Sequence, residues 1–276
     1  MTEALDTQRI DHLLDGADVS GKVVTVAGLG SGGATVIHQL AMCGVSRWHL
    51  FDPDKLEPVN LVKHPAMRTE LGRPKADVLR DWLLDRNPRA SVAAHAQDVR
   101  ESEAFGPAVA GSDLVICAVD NAASRSWINE TCVKQVRPCL TGSVIRTGLG
   151  GQIYLFAPGE TGCLSCMQLV SDRNNLNLED AIQLTDEEQT HRYGLGDPEF
   201  TTSGLAIDIT LVAAFHAHMA WSVMFGGTSR YVPPLSFNWL TVGIRPERNI
   251  FPSHYEVTRV LVRPQAACVY GCANVQ

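Results

Sequence analysis

The segment from Lys22 to Gly33, KVVTVAGLGSGG, constrains this chain more than any other. A run of β-branched and small apolar residues passes directly into glycines. The glycines open an amphipathic stretch over residues 34–45 that Gly44 closes. Strand, tight turn and helix in that order make a βα unit. Glycine lets the backbone approach an anion, and the free N–H groups and dipole of a helix N-terminus favour negative charge. Gly28, Gly30, Gly32 and Gly33 are therefore candidate phosphate-binding residues. Asp52 follows about 20 residues later and ends the apolar run RWHLFDPD, where a carboxylate can hold ribose hydroxyls. These two features suit a nicotinamide dinucleotide as well as ATP. A tight strand-to-helix turn with no ligand would carry them too.

The pattern then repeats. Helical periodicity covers residues 73–88, 124–136 and, weakly, 1–20, where Ile10, Leu13 and Leu14 share a face. Short apolar runs at 91–99, 112–121 and 138–145 read as strands, with no helix between the first two. The rhythm predicts an α/β fold: a Rossmann-like, doubly wound mixed sheet in one domain over residues 1–276. After a nucleotide-binding core at 21–160 comes a polar, acidic crossing segment, 171–203. An apolar helix follows at 204–225. Residues 239–264 read as terminal antiparallel strands.

Composition narrows the function. With 45% hydrophobic and 19% charged residues, the chain can bury a large core. Its 23 basic and 30 acidic residues leave a net charge of −7, which disfavours nucleic-acid binding by phosphate neutralisation. Residues 204–225 are long enough for a membrane span, but they carry Asp208, His216 and His218 and lack a basic flank. A buried or interface helix is expected. The N-terminus has no apolar signal core, and eight Cys are too sparse for a disulfide scaffold. A cytoplasmic protein is expected.

Three later features favour ATP. Asp52-Pro53-Asp54 leads through Glu57 to Asn60 and Lys63. Gly72-Arg73-Pro74 delivers Lys75 at a helix start. Asp120-Asn121 ends a buried strand and precedes Arg125 and Asn129. Cations neutralise phosphate charge, and a carboxylate at a strand end can hold magnesium (Mg2+). A solvated Lys75 and an Asp120 that merely caps a helix are the plain alternatives.

With these pieces the chain resembles the ThiF/MoeB/HesA family of adenylating enzymes, relatives of the ubiquitin-activating enzyme. The matching segments are GLGSGG, LFDPDKLEPVNL, GRPKADVLRDWLLDRNP, DLVICAVDNAASRSWIN and TGSVIRTGLGGQIYLF with CLSC after it. The resemblance implies a mixed eight-stranded sheet, a homodimer, and ATP with magnesium. It also implies adenylation of the C-terminal carboxylate of a small ubiquitin-like or sulfur-carrier protein. Carried over residue by residue, Asp52 holds the ribose, Asp54 is a further nucleotide-binding candidate, and Asn60 and Lys63 lie near the phosphates. Lys75 neutralises phosphate charge, and Asp120 holds magnesium, with Asn121 beside it a further candidate for binding the nucleotide. Arg9 is the arginine inserted into a neighbouring subunit's site. Two departures stand out. Lys63 occupies a position where the family usually has Arg, and Lys lacks bidentate geometry. The stretch Pro198–Gly204 lacks the transfer Cys of many relatives. A peptide or tRNA-linked substrate, or a non-catalytic subunit that binds a ubiquitin-like protein, are the alternatives.

Cys163-x2-Cys166 and Cys268-x3-Cys272 supply four thiolates, the donor set of a structural zinc (Zn2+) site. Free thiols or a redox pair are the alternatives. Cys43, Cys117, Cys132 and Cys139 read as small core residues, and none of the nine His is assigned to metal or catalysis.

Overall fold

A computed structural model describes residues 5–145, 148–174, 204–247 and 250–275. The crossing segment expected at 171–203 therefore lies outside the described residues from 175 onward. Eight strands form one sheet in the order β3-β2-β1-β4-β5-β6-β7-β8. They are β1 (Val23–Ala27), β2 (Arg47–Phe51), β3 (Ser91–His95), β4 (Leu114–Cys117), β5 (Cys139–Ile145), β6 (Gly150–Phe156), β7 (Trp239–Gly243) and β8 (Glu256–Val260). The first five pair in parallel. β6, β7 and β8 then add antiparallel, β5 to β6 in the register Cys139↔Phe156 to Ile145↔Gly150. This is the mixed, doubly wound sheet with an antiparallel C-terminal part that the strand rhythm implied.

Parallel neighbours need crossovers, and helices supply them on both faces. The helices are α1 (Gln8–Leu14), α2 (Ser31–Met42), α3 (Lys75–Arg86), α4 (Phe105–Ala110), α5 (Ala122–Gln135), α6 (Leu164–Arg173) and α7 (Ala206–Phe225). On one face Ile37 and Leu40 of α2, Leu79 and Leu83 of α3, and Val212 and Ala220 of α7 share a core with Val24 and Val26 of β1. On the other, Phe105 of α4, Ile128 of α5 and Met167 of α6 pack with Val115 and Cys117 of β4. Cys117, Cys132 and Cys139 are buried in that second core, as expected of small apolar residues, while Cys43 is half-buried.

Two expectations need correction. The sequence reading passed from β3 to β4 without a helix, yet α4 lies between them. Gly106 and Pro107 hid it, although proline is tolerated in a first helical turn because its missing N–H is unpaired there anyway. The N-terminal helix is also short, Gln8–Leu14, with only Leu14 buried.

The 20-residue α7 is long and apolar enough to cross a membrane, but half of its residues are buried within the fold. Its carboxylate is paired: Asp208 Oδ2 accepts from Arg245 Nη2 at 2.6 Å. Glycines on the sheet let α7 come close. A Cβ on Gly142 would lie 2.3 Å from His216 Nδ1, and one on Gly151 would lie 2.4 Å from Val212 Cγ1.

Candidate functional site

After β1 the chain turns to β2 on one side, and from β3 it returns to β4 on the other. The point where strand order reverses is where open α/β sheets bind ligands, outside the carboxyl ends of their strands. Three segments meet at that edge: the glycine loop after β1, Asp52 after β2, and Asp120 after β4. Gly28 has φ +88°, and a Cβ there would lie 2.6 Å from the Ala118 carbonyl oxygen. A Cβ on Gly33 would lie 2.0 Å from the Gly28 oxygen. These two glycines answer to the fold itself. Around Gly30 and Gly32, by contrast, a Cβ would meet nothing within 4 Å, so the loop faces open space. The first turn of α2 has neither a side-chain cap nor an acidic residue, which leaves its N–H groups available for an anion.

Asp52 is only 5% exposed. Its Oδ2 accepts from Leu29 N–H at 2.6 Å and its Oδ1 from Asp54 N–H at 2.8 Å. Burial pushes its carboxyl above the ordinary value, against the opposing pull of the Lys75 ammonium and those two N–H groups. Lys75 is buried at the first position of α3 and donates to Asp54 Oδ2 at 2.7 Å, with Asp52 Oδ1 at 4.0 Å. The structure thus brings together the predicted Asp52, Asp54 and Lys75. An ammonium is held between two carboxylates beside an open, N–H-rich loop. Each carboxylate oxygen keeps further acceptor capacity for hydroxyls.

Other candidates are placed differently. The Asn60 side-chain oxygen accepts from Glu57 N–H at 2.9 Å, capping the short helix Pro58–Val62, and half-buried Lys63 follows directly. Asn121 is the N-cap of α5 and accepts from Ser124 N–H at 2.8 Å, so its oxygen serves the helix. Asp120 is exposed at the strand end, clear of the capping role. Arg125 Nε donates to the Val119 carbonyl at 3.0 Å and braces the same turn. Arg9 is exposed on α1. Nearby Thr7 lies against Gly44, past the C-terminal end of α2. Twelve residues of helix span about 18 Å, so Arg9 is far from the glycine loop of its own chain.

One buried residue at this edge escaped sequence reasoning. His64 is buried, with Nε2 2.9 Å from the Leu29 carbonyl oxygen. A lone His before a Pro, in a short loop, carries no pattern that marks it.

The four Sγ atoms of Cys163, Cys166, Cys268 and Cys272 all lie within 4.8 Å of one another. Cys163–Cys268 and Cys166–Cys272 are each 3.4 Å apart. Tetrahedral zinc with bonds near 2.3 Å sets sulfurs roughly 3.8 Å apart, so the donor set fits that ion. Burial pushes the Cys163 thiol up to about 11, a cost that a bound divalent cation reverses by stabilising the thiolate. Asn129 links this cluster to α5: its Oδ1 accepts from Leu164 N–H at 2.9 Å, next to Cys163.

Residues 14–237 match the model of the ThiF family. The ubiquitin-like modifier-activating enzyme 5 of Caenorhabditis briggsae is 26% identical over 237 residues, 82% of this chain and 52% of that protein. The sulfur carrier protein ThiS adenylyltransferase of Escherichia coli K12 is 35% identical over 160 residues, 57% of this chain and 62% of that protein. The chain therefore spans about half the length of the relatives it matches. Escherichia coli MccB, in its structure with ATP, superposes with a TM-score of 0.68 at 21% identity, covering 91% of this chain and 67% of MccB.

Proposed function

Because this chain belongs to the ThiF family, we propose that it adenylates the C-terminal carboxylate of a small ubiquitin-like or sulfur-carrier protein with ATP. The observation that carries this reading is buried Lys75 between Asp52 and Asp54, beside a glycine loop that faces open space. A carboxylate oxygen of the substrate attacks the α-phosphorus. The bond from that phosphorus to the bridging oxygen breaks, and pyrophosphate leaves with the electron pair. An acyl-adenylate remains. The glycine loop and α2 N-terminus hold phosphate oxygens, and Asp52 orients the ribose. Lys75 exchanges carboxylate partners for phosphate as charge develops. Exposed Asp120 would hold magnesium, which neutralises the departing pyrophosphate. Asn60 and Lys63 flank the phosphates.

Among described residues every cysteine outside the four-thiol cluster is buried or half-buried, and the sequence holds none between Cys166 and Cys268. This supports release or direct transfer of the adenylate without a thioester at the crossing segment. It also keeps a peptide substrate as the second reading, since MccB has been solved with MccA as well as with ATP. A homodimer is supported by the outward face of α7, where Ile207 is 73% exposed and Leu211, Phe215 and Trp221 are half-buried. Arg9, exposed and far from its own glycine loop, is read as acting in the partner's site of such a dimer.

The test is pyrophosphate exchange with candidate carrier proteins. Lys75→Ala and Asp120→Ala should each lose about a hundredfold or more. Mixing equal amounts of Lys75→Ala and Arg9→Ala chains should restore about a quarter of wild-type activity if Arg9 acts across the dimer. Full exchange by Asp120→Ala would remove the magnesium role. Stabilisation by NAD alone would replace the whole reading with a dehydrogenase, and no nucleotide binding would leave a non-catalytic binding subunit.

A further inference from the structure

Both backbone polar groups of Leu29, one in each of the two peptides that flank its Cα, are held. Its N–H donates to Asp52 Oδ2 at 2.6 Å. Its carbonyl faces His64 Nε2 at 2.9 Å. Ala66 N–H donates to His64 Nδ1 at 3.1 Å, so Nδ1 carries no proton and Nε2–H donates to Leu29. The imidazole is therefore neutral and in one tautomer. A peptide group is planar, and this chain has no cis bonds among its described residues. The Leu29 carbonyl and the Gly30 N–H belong to one trans peptide and point in opposite directions. Holding the carbonyl thus aims the N–H. Gly30 N–H donates to no other group among the described residues, and a Cβ on Gly30 would meet only open space. Glycines on either side of Leu29 would otherwise let this peptide rotate.

We propose that His64 is a positioning residue for nucleotide binding: through the Leu29 carbonyl it aims the Gly30 N–H at a phosphate oxygen, and it does so only as neutral imidazole. The inference rests on the nucleotide reading above. Protonation at Nδ1 removes the acceptor that Ala66 uses and adds a cation to a crowded site. Lys75 of α3 disfavours that charge, Glu70 of the short helix Arg68–Glu70 favours it, and nearby His38 of α2, itself lowered to about 4, is neutral in this range. Burial is the largest influence and lowers the His64 pKa below its ordinary value. Nucleotide affinity consequently declines on the acid side as the ring takes up a proton.

The experiment is calorimetric titration with α,β-methylene-ATP and magnesium across pH 5.5–7.5. Wild type is compared with His64→Gln, whose amide N–H can reach the Leu29 carbonyl but does not titrate, and with His64→Phe, which has no donor. At pH 7.5 the Phe variant should bind about fivefold or more weakly, the worth of one net hydrogen bond, while Gln stays within about twofold. Towards pH 5.5 wild type should weaken relative to Gln. The ratio of the two cancels the ligand's own titration. Equal affinity of Phe and wild type would overturn the proposal, as would a wild-type-to-Gln ratio independent of pH. If Phe fails to fold, the ratio alone decides. Absence of binding by wild type at every pH would instead overturn the nucleotide reading itself.

Discussion

At Gly28 and Gly33 a methyl group has nowhere to go. It would press on the Ala118 carbonyl in one case and on the Gly28 oxygen in the other, at 2.6 and 2.0 Å. Both obstacles are backbone, which cannot rotate away. At Gly30 and Gly32 the methyl group meets open space. Alanine substitution should therefore separate the loop into two classes. Gly28→Ala and Gly33→Ala should lower the thermal midpoint by several degrees, since about 1 kcal/mol shifts it by about 2–4 °C in a chain of this size. Gly30→Ala and Gly32→Ala should melt like wild type and lose stabilisation by magnesium-ATP. Normal melting of Gly33→Ala would refute the packing argument. All four glycines were legible as a candidate phosphate loop, because their spacing is local. Their division into two roles was not, since it depends for Gly28 on Ala118, just beyond another strand, and for Gly33 on how the loop folds back on Gly28. Asn121 makes the same point: the motif grouped it with Asp120, while hydrogen bonding gives it to the helix.

The element that best joins sequence to energetics is α7. It buries His216, whose Nε2 donates to the Leu140 carbonyl at 3.2 Å, and burial lowers that imidazole to about 4. His38 of α2, stacked on Trp82 of α3 at 3.7 Å, is likewise lowered to about 4 by burial. In the unfolded chain both rings protonate near 6.5. The folded state refuses those protons, so its stability is full above pH 6.5 and falls as pH drops from there towards 4. Urea unfolding at a series of pH values should show that decline. His216→Gln, which keeps an amide donor for Leu140, should flatten it. An unchanged slope would mean that the ring is not the source. The helix and the unsuitability of its His pair as joint ligands were readable from periodicity. The short α4 was not, because its Gly-Pro sequence suits a turn equally well.

Across the whole molecule, the cysteine cluster joins the start of α6 to the chain beyond β8, over separations of 105 and 106 residues. A cross-link of that length removes much freedom from the unfolded chain. Purified protein should hold one zinc per chain. Chelation, or Cys272→Ser, should lower the thermal midpoint and release the metal, read by a colorimetric zinc indicator. A full complement of zinc in Cys272→Ser would exclude the four-thiolate site. Asn129 connects this cluster to the helix that begins behind Asp120, so a metal bound there would also steady one wall of the candidate nucleotide edge.

The sequence by itself determined the order of the strands along the chain, the helices other than α4 and α6, the glycine loop, the Asp52 and Lys75 pair of candidates and the two cysteine pairs. These are written in periodicity and short spacing, which act between near neighbours along the chain. Only the tertiary structure decided that Lys75 lies between two carboxylates, that His64 grips the Leu29 peptide, and that the cysteine pairs converge. It also decided that Arg9 sits far from its own loop. Each of these is a contact or distance between residues far apart in the chain. Such relations arise when layers pack on the sheet, and no local repeat in the residues encodes them.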